Sequence, residues 1–88
     1  MEVRYKSSFD RDLKRIRDHN LFRRVERKIR EIKAADSLSD ISGIEKIRSR
    51  ENYYRIRIGG YRLYLTREYG AAVLRGIDHR GRAYRSFP

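Results

Sequence analysis

Cysteine is absent from this chain of 88 residues, which removes disulfide frameworks and thiolate metal sites and fits a reducing compartment. Histidine is scarce. Only His19 and His79 are present, and two imidazoles without a carboxylate cluster at ligand spacing do not make a metal site, so no metal and no other cofactor is expected. No apolar run is long enough for a signal peptide or a membrane span. A soluble, cytoplasmic protein with no membrane partner is therefore the expectation. No repeat, low-complexity tract or linker divides the chain, and a chain of this length buries one core, so residues 1–88 read as one domain. Acidic side chains are the minority: 12 Asp and Glu against 23 Lys and Arg leave a formal charge of +11. That balance points to a polyanionic partner such as nucleic acid, or to an acidic protein that masks the surface. Disorder is excluded, because the apolar residues recur with clear periods.

The most informative stretch is Tyr53 to Leu65, YYRIRIGGYRLYL. Two period-two runs flank Gly59-Gly60, the signal of a two-residue β-hairpin whose central positions both favour positive φ. The register follows: Ile58 faces Tyr61, Ile56 faces Leu63 and Tyr54 faces Leu65, which makes one side of the ribbon apolar. On the other side Arg57 opposes Arg62 and Arg55 opposes Tyr64. Like charges directly across a strand pair destabilise it, so this face reads either as a solvated surface or as a place that holds an anion.

The rest of the chain supplies a scaffold. Val3 and Tyr5 alternate with polar residues as a short strand does. Ser7 is in position to cap a first helix with Phe9, Leu13 and Ile16 on one face, ending around Asp18-His19-Asn20; Asn20 can cap a second helix in which Phe22, Val25, Ile29 and Ile32 repeat at helical spacing to about Ala34. Both helices carry many basic residues. These read as a solvated face supported by pairs such as Glu26 with Arg30 and Arg27 with Glu31, or as a docking surface for RNA backbone. Residues 35–42 form a polar connection, Ile44 to Arg48 a strand, Arg67-Glu68-Tyr69-Gly70 a turn, and Ala72 to Ile77 a last strand ending at Asp78-His79-Arg80. Gly81 to Pro88 is a short tail. The predicted fold class is α+β: an N-terminal strand and two antiparallel helices packed on one face of a small, mainly antiparallel, twisted sheet.

The run YRIRIGGYRLYL, followed after the next strand by GIDHRGRAYR, resembles the RelE/ParE superfamily of bacterial and archaeal toxins, most closely the RelE-type messenger-RNA endonucleases. The resemblance covers the whole chain in element order. Its specific part is the glycine-turn hairpin closing on Tyr-Arg together with the terminal His-Arg-x-x-x-Tyr. It implies a toxin of a type II toxin-antitoxin system: a ribosome-dependent, metal-independent endoribonuclease that cleaves messenger RNA, inhibits translation and is silenced by a cognate antitoxin. The toxin alone is expected to be a monomer, and an oligomer with its antitoxin. By position, Arg62 matches the arginine that holds and polarises the scissile phosphate, Arg80 the arginine after the last strand, and Tyr84 the aromatic that orients the substrate. His79 stands where relatives carry lysine or histidine. Arg55, Arg57, Tyr64 and Arg82 are the expected RNA-binding residues.

The chemistry asks for such groups independently. RNA cleavage without a metal needs the 2′-hydroxyl deprotonated, the phosphorane's charge stabilised and the leaving 5′-oxygen protonated. Guanidinium groups suit the second task because they offer several donors in a fixed geometry. An imidazole, with an unperturbed pKa of about 6.5, suits the first or the third, and a cationic neighbour such as Arg80 favours the base role. The sequence departs from nucleases that surround the phosphate with lysines, since arginine does not lose a proton near neutrality. Proton transfer then falls to His79 or Tyr84. ParE relatives share the fold but poison DNA gyrase, which is the alternative, beside an inactive relative that only binds nucleic acid or antitoxin.

Overall fold

A computed structural model describes residues 1–48 and 50–81. Strand β1 (Glu2–Tyr5) leads directly into helix α1 (Ser7–Arg15), because the Lys6 N–H is still tied to the Leu74 carbonyl at 2.9 Å while the Lys6 carbonyl accepts from Phe9 N–H at 3.0 Å. Ser7 is consequently the first helical residue and not the cap. The cap position is Lys6, without a side-chain bond. Helix α1 stops at Arg15, earlier than its apolar pattern predicts, with Ile16 extended. Helix α2 (His19–Ala34) is capped by Asp18, whose carboxylate accepts from Asn20 N–H at 3.0 Å and Leu21 N–H at 3.1 Å. A carboxylate at that end also meets the positive pole of the helix dipole, which is why Asp18 takes the role predicted for Asn20.

A short 3-10 turn (Leu38–Asp40) follows, pinned by buried Leu38 and Ile41, so the connection is not a purely polar one. Strand β2 (Ile44–Lys46) is shorter than predicted; β3 (Tyr53–Ile58), β4 (Tyr61–Glu68) and β5 (Ala71–His79) complete a five-stranded sheet in the order β1-β5-β4-β3-β2. Only the β1–β5 pair is parallel. Both helices lie on one face, where Phe9, Leu21, Val25 and Ile32 join Ile56, Leu63, Leu65, Leu74 and Ile77 in one core. Burying each such side chain contributes about 1.5–3 kcal/mol.

The β3–β4 register is the predicted one, Ile58 with Tyr61, Arg57 with Arg62, Ile56 with Leu63 and Arg55 with Tyr64. Its turn differs in one respect: Gly59 has φ 58° whereas Gly60 is not in the positive region, which is the type II′ requirement and not the type I′ one. The β4–β5 hairpin takes the other form, with Tyr69 at φ 51° and Gly70 at 78°.

One irregularity controls what the end of β5 presents. The β4–β5 ladder slips between Tyr64 and Leu65: Tyr64 pairs with Gly76 and Leu65 with Leu74, leaving Arg75 as the extra residue of a β-bulge. Helix α1 satisfies the disturbed backbone, since the Ser8 hydroxyl donates to the Arg75 carbonyl and the Asp12 carboxylate accepts from Ile77 N–H at 3.2 Å. With the bulge in place, Leu74 and Ile77 both reach the core although they are three positions apart. Beyond it the alternation is reversed: Asp78 points to the outer face and His79 to the helix side.

Candidate nucleic-acid interface

The sheet face away from the helices divides into two halves of different character. Toward β1, Tyr64, Thr66, Ala71 and Val73 are buried there, outside the main core. Thr66 donates to the Glu68 carboxylate at 2.6 Å, and Arg75 reaches both, with Nε on the Thr66 hydroxyl at 2.9 Å and a terminal nitrogen on Glu68 at 2.6 Å. The Thr66 hydroxyl, then the Arg75 guanidinium, hold the Glu68 carboxyl below the usual carboxylate range.

Toward the hairpin turn the face is cationic. Arg57 and Arg62 oppose each other across β3 and β4, and on its other side Arg62 faces Asp78 of β5. Arg55 is gripped by Glu45 of β2, with Nε 2.7 Å from the carboxylate. That hydrogen bond and the attached charge lower the Glu45 pKa, and Arg62 and Arg57 add a weaker pull. The ion pairs among the described residues are Arg4–Glu2, Lys28–Glu31, Arg55–Glu45 and Arg75–Glu68, so neither Arg57 nor Arg62 is in one. Two adjacent guanidinium groups with open hydrogen-bond forks are an arrangement suited to bidentate binding of phosphate oxygens.

Strand β5 ends beside them. The Arg80 N–H donates to the Gly60 carbonyl at 2.8 Å, which ties the exposed Arg80 to the hairpin turn. His79 is placed differently from the sequence expectation. It pairs with Tyr61, on the helix side, its ring edge-on to the tyrosine at 5.1 Å between centroids and its Nδ1 3.3 Å from the Arg80 carbonyl. An unbroken period-two strand would have aimed His79 at the arginines; the bulge at Arg75 turns it away. Tyr64, expected to touch RNA, is 5% exposed, which leaves little ring surface for stacking on a base. Arg82 and Tyr84 lie outside the described residues.

The geometry thus brings Arg57 and Arg62 together with Arg80 nearby, sets Arg55 behind a carboxylate, and separates His79 from the group. Sequence reasoning missed Glu45 and Asp78 as the acidic neighbours, and Glu68 and Arg75 as an ion pair. The signal for the bulge was present: Ala72, Leu74 and Ile77 are apolar at spacings of two and then three, with Gly76 at the break.

A model of the ParE toxin of type II toxin-antitoxin systems matches residues 3–84. The chain is 35% identical over 89 aligned residues to Toxin RelE3 of Methanocaldococcus jannaschii, covering all of both chains. Among solved structures it resembles a chain of the RelB-RelE antitoxin-toxin complex from Methanococcus jannaschii, with a TM-score of 0.82 and 31% identity over 98% of this chain and 100% of that one. A chain of the toxin-antitoxin complex RelBE2 from Mycobacterium tuberculosis is similar at a TM-score of 0.58 and 25% identity, over 90% and 96% of the two chains.

Proposed function

Starting from a chain that belongs to the RelE/ParE superfamily of type II toxin-antitoxin toxins, we propose that it is a ribosome-dependent endoribonuclease that cuts messenger RNA in the cytoplasm and is silenced by a cognate antitoxin. The observation that carries this reading is the Arg57–Arg62 pair, two facing cations in no ion pair among the described residues. A sheet retains such a repulsion where an anion relieves it. In the proposed reaction the 2′-oxygen attacks the adjacent phosphorus, the bond from phosphorus to the 5′-oxygen breaks, and one proton leaves the 2′-hydroxyl while another reaches the leaving oxygen. Arg62 binds the non-bridging oxygens and gains strength as the phosphorane's charge develops. Arg57 and Arg80 flank it, and Arg55 contributes after it exchanges Glu45 for phosphate. His79 supports the site by holding Tyr61 and the Arg80 carbonyl; on sequence grounds alone Arg82 is a proposed substrate contact and Tyr84 the proposed proton-transfer group, with water completing the exchange between the 2′-hydroxyl and the leaving 5′-oxygen.

The relatives' structures are antitoxin complexes, which supports a cognate antitoxin for this chain as well. An acidic or amphipathic segment suits a toxin of charge +11. The ParE name of the matching family model favours a second reading, a gyrase poison. Primer extension on messages after induced expression separates the two. In-frame cuts confined to translated RNA support the nuclease, whereas DNA-damage signalling with intact messages refutes it.

A further inference from the structure

One carboxylate reaches the arginine face from the edge of the sheet. Strand β2 is that edge, and it pairs with β3 through Ile44, Glu45 and Lys46, opposite Ile56, Arg55 and Tyr54. Ile44 and Ile56 pack toward the helices, so strand alternation puts Glu45 and Arg55 on the other face, the one that carries Arg57 and Arg62. There Arg55 donates to one Glu45 carboxylate oxygen through Nε at 2.7 Å and through a terminal nitrogen. The contact is open to solvent, with the Arg55 and Glu45 side chains 35% and 54% exposed. An ion pair this exposed adds little to folding. The donors that Glu45 occupies are, however, the ones a phosphate oxygen would need. Glu45 is the only acid among the described residues lining the open cleft along β2, beside Lys46, Arg48 and Arg55. The other acid of this face, Asp78, accepts the N–H of His79 at 2.7 Å.

We propose that Glu45 is a specificity-determining residue, an internal stand-in for phosphate that occupies Arg55 and gives way to an RNA strand seated on Arg57 and Arg62. The choice of RNA rests on the ribonuclease reading; the competition for Arg55 rests on the geometry. A tethered carboxylate stays at high effective concentration beside Arg55, so an isolated phosphate displaces it poorly. A polynucleotide is tethered too. Arg55 and Arg57 point the same way two residues apart on β3, about 6.6 Å along the strand, so a backbone held by Arg57 and Arg62 brings a neighbouring phosphate to Arg55 at an effective concentration of its own. The freed Glu45 then takes up a cation, which offsets one of the counterions the RNA releases. Glu45 thus makes the face demand a continuous backbone, and it restrains a protein of charge +11 from binding every polyanion alike.

The test measures binding of a labelled single-stranded RNA dodecamer across a salt series. The full-length proteins are wild type, Glu45→Gln, Arg55→Gln, the double variant, and Glu26→Gln, which changes the net charge equally from an exposed position on α2. Glu45→Gln is expected to bind about twofold to fivefold tighter at low salt, the range that exposed ion pairs span, with a log-log salt slope steeper by about 0.7. In the Arg55→Gln background the same change should matter no more than Glu26→Gln does in the wild type. Inorganic phosphate, with ionic strength held constant by chloride, should raise the melting temperature of Glu45→Gln more than that of the wild type. Equal gains from Glu45→Gln and Glu26→Gln, or a gain that survives Arg55→Gln, would show net charge alone at work and overturn the role; so would equal stabilisation by phosphate. Weaker RNA binding by Glu45→Gln would overturn it in favour of a carboxylate that braces Arg55 for binding. If Glu45→Gln melts lower than the wild type, Glu45→Asp, which keeps the charge and shortens the reach, replaces it with the same expected sign. A wild type that cuts no message while the double-variant comparison holds would sink the nuclease reading and leave the role of Glu45 standing, whereas cutting without that coupling does the reverse.

Discussion

His79 is the residue on which sequence and structure disagree most usefully. Its type and position predict a general acid or base, and losing such a group slows chemistry by about 10² to 10⁴. The bulge at Arg75 instead places the ring on the helix side against Tyr61, with the backbone of Arg80 as its polar neighbour. A proton-transfer group has to come within about 3 Å of the oxygen it serves, directly or through one water, and a side chain on the face opposite Arg62 does not meet a phosphate seated there. His79→Gln keeps a hydrogen-bonding side chain of similar reach and removes the imidazole. Loss of the edge-on aromatic contact is worth about 0.5–1.5 kcal/mol, so the expected cost to the single-turnover rate is below about tenfold, appearing through a small displacement of Arg80. The assay is single-turnover cleavage of ribosome-bound message from about pH 5.5 to 8, the range spanning the imidazole's ordinary pKa. A profile unchanged in shape between wild type and variant is the expected result. A drop of about 10² or more, with loss of an ionisation that the wild type shows near neutrality, would refute the register argument and return His79 to the chemistry.

The other predictions address the cations, the turn and the acid limb of stability. Arg62→Ala should slow cleavage by about 10² to 10³, the usual loss on removing one donor to a developing oxyanion. Its stability should change by less than about 0.5 kcal/mol, because Arg62 sits between Arg57 and Asp78 and the two neighbours act in opposite directions; a variant inactive only because it melts lower would contradict this. Gly59→Ala should destabilise by about 1–3 kcal/mol in denaturant titration, from positive φ and the displaced Arg24, while Gly60→Ala should be nearly neutral because, among the described residues, its β-carbon would meet only His79 Nε2 at 3.9 Å. Equal effects at the two glycines would disprove the type II′ assignment. Glu31 is held below the ordinary carboxylate range first by the Ser42 N–H and then by Lys28. A depressed folded pKa contributes stability above the unfolded value of about 4.3 and loses it as pH falls through the folded one. Glu31→Gln should therefore flatten the fall in melting temperature below about pH 4.5, and parallel wild-type and variant curves would argue against it.

The legible part of the fold was what period alone determines. Ile56, Ile58, Leu63 and Leu65 alternate strictly, so the β3–β4 register could be written down to the residue pair. Helix α2 was equally readable, because Val25, Ile29 and Ile32 share a face. Termini were less so. Asp18, Asn20 and Ser7 are all good caps in isolation; Ser7 loses the role because the Lys6–Leu74 hydrogen bond, to a strand almost 70 residues away in sequence, keeps the chain on the sheet as far as Lys6, and Asp18 takes it from Asn20 because its carboxylate accepts from the Asn20 and Leu21 N–H groups. Partners of long side chains were the least legible: Glu31 turns from Arg27 to Lys28 and the Ser42 backbone because a loop outside its own helix comes within reach.

The candidate site shows the same division at higher stakes. Arg57 and Arg62 belong to the strictly alternating hairpin, so their meeting follows from the sequence pattern. His79 belongs to β5, where a single extra residue reverses the alternation, and its placement depends on whether helix α1 can satisfy the backbone the bulge exposes. Ser8 and Asp12 do so, and they lie on the helix face that also buries Phe9. The orientation of the last strand is thus set by polar residues of α1 that a search for catalytic side chains passes over. An unsatisfied buried N–H costs about 1–3 kcal/mol, a penalty that the Asp12 carboxylate removes at Ile77. The same bulge that removes His79 from the arginine face brings Asp78 onto it opposite Arg62, and so moderates the repulsion between Arg62 and Arg57 while leaving both outside any ion pair of the described residues.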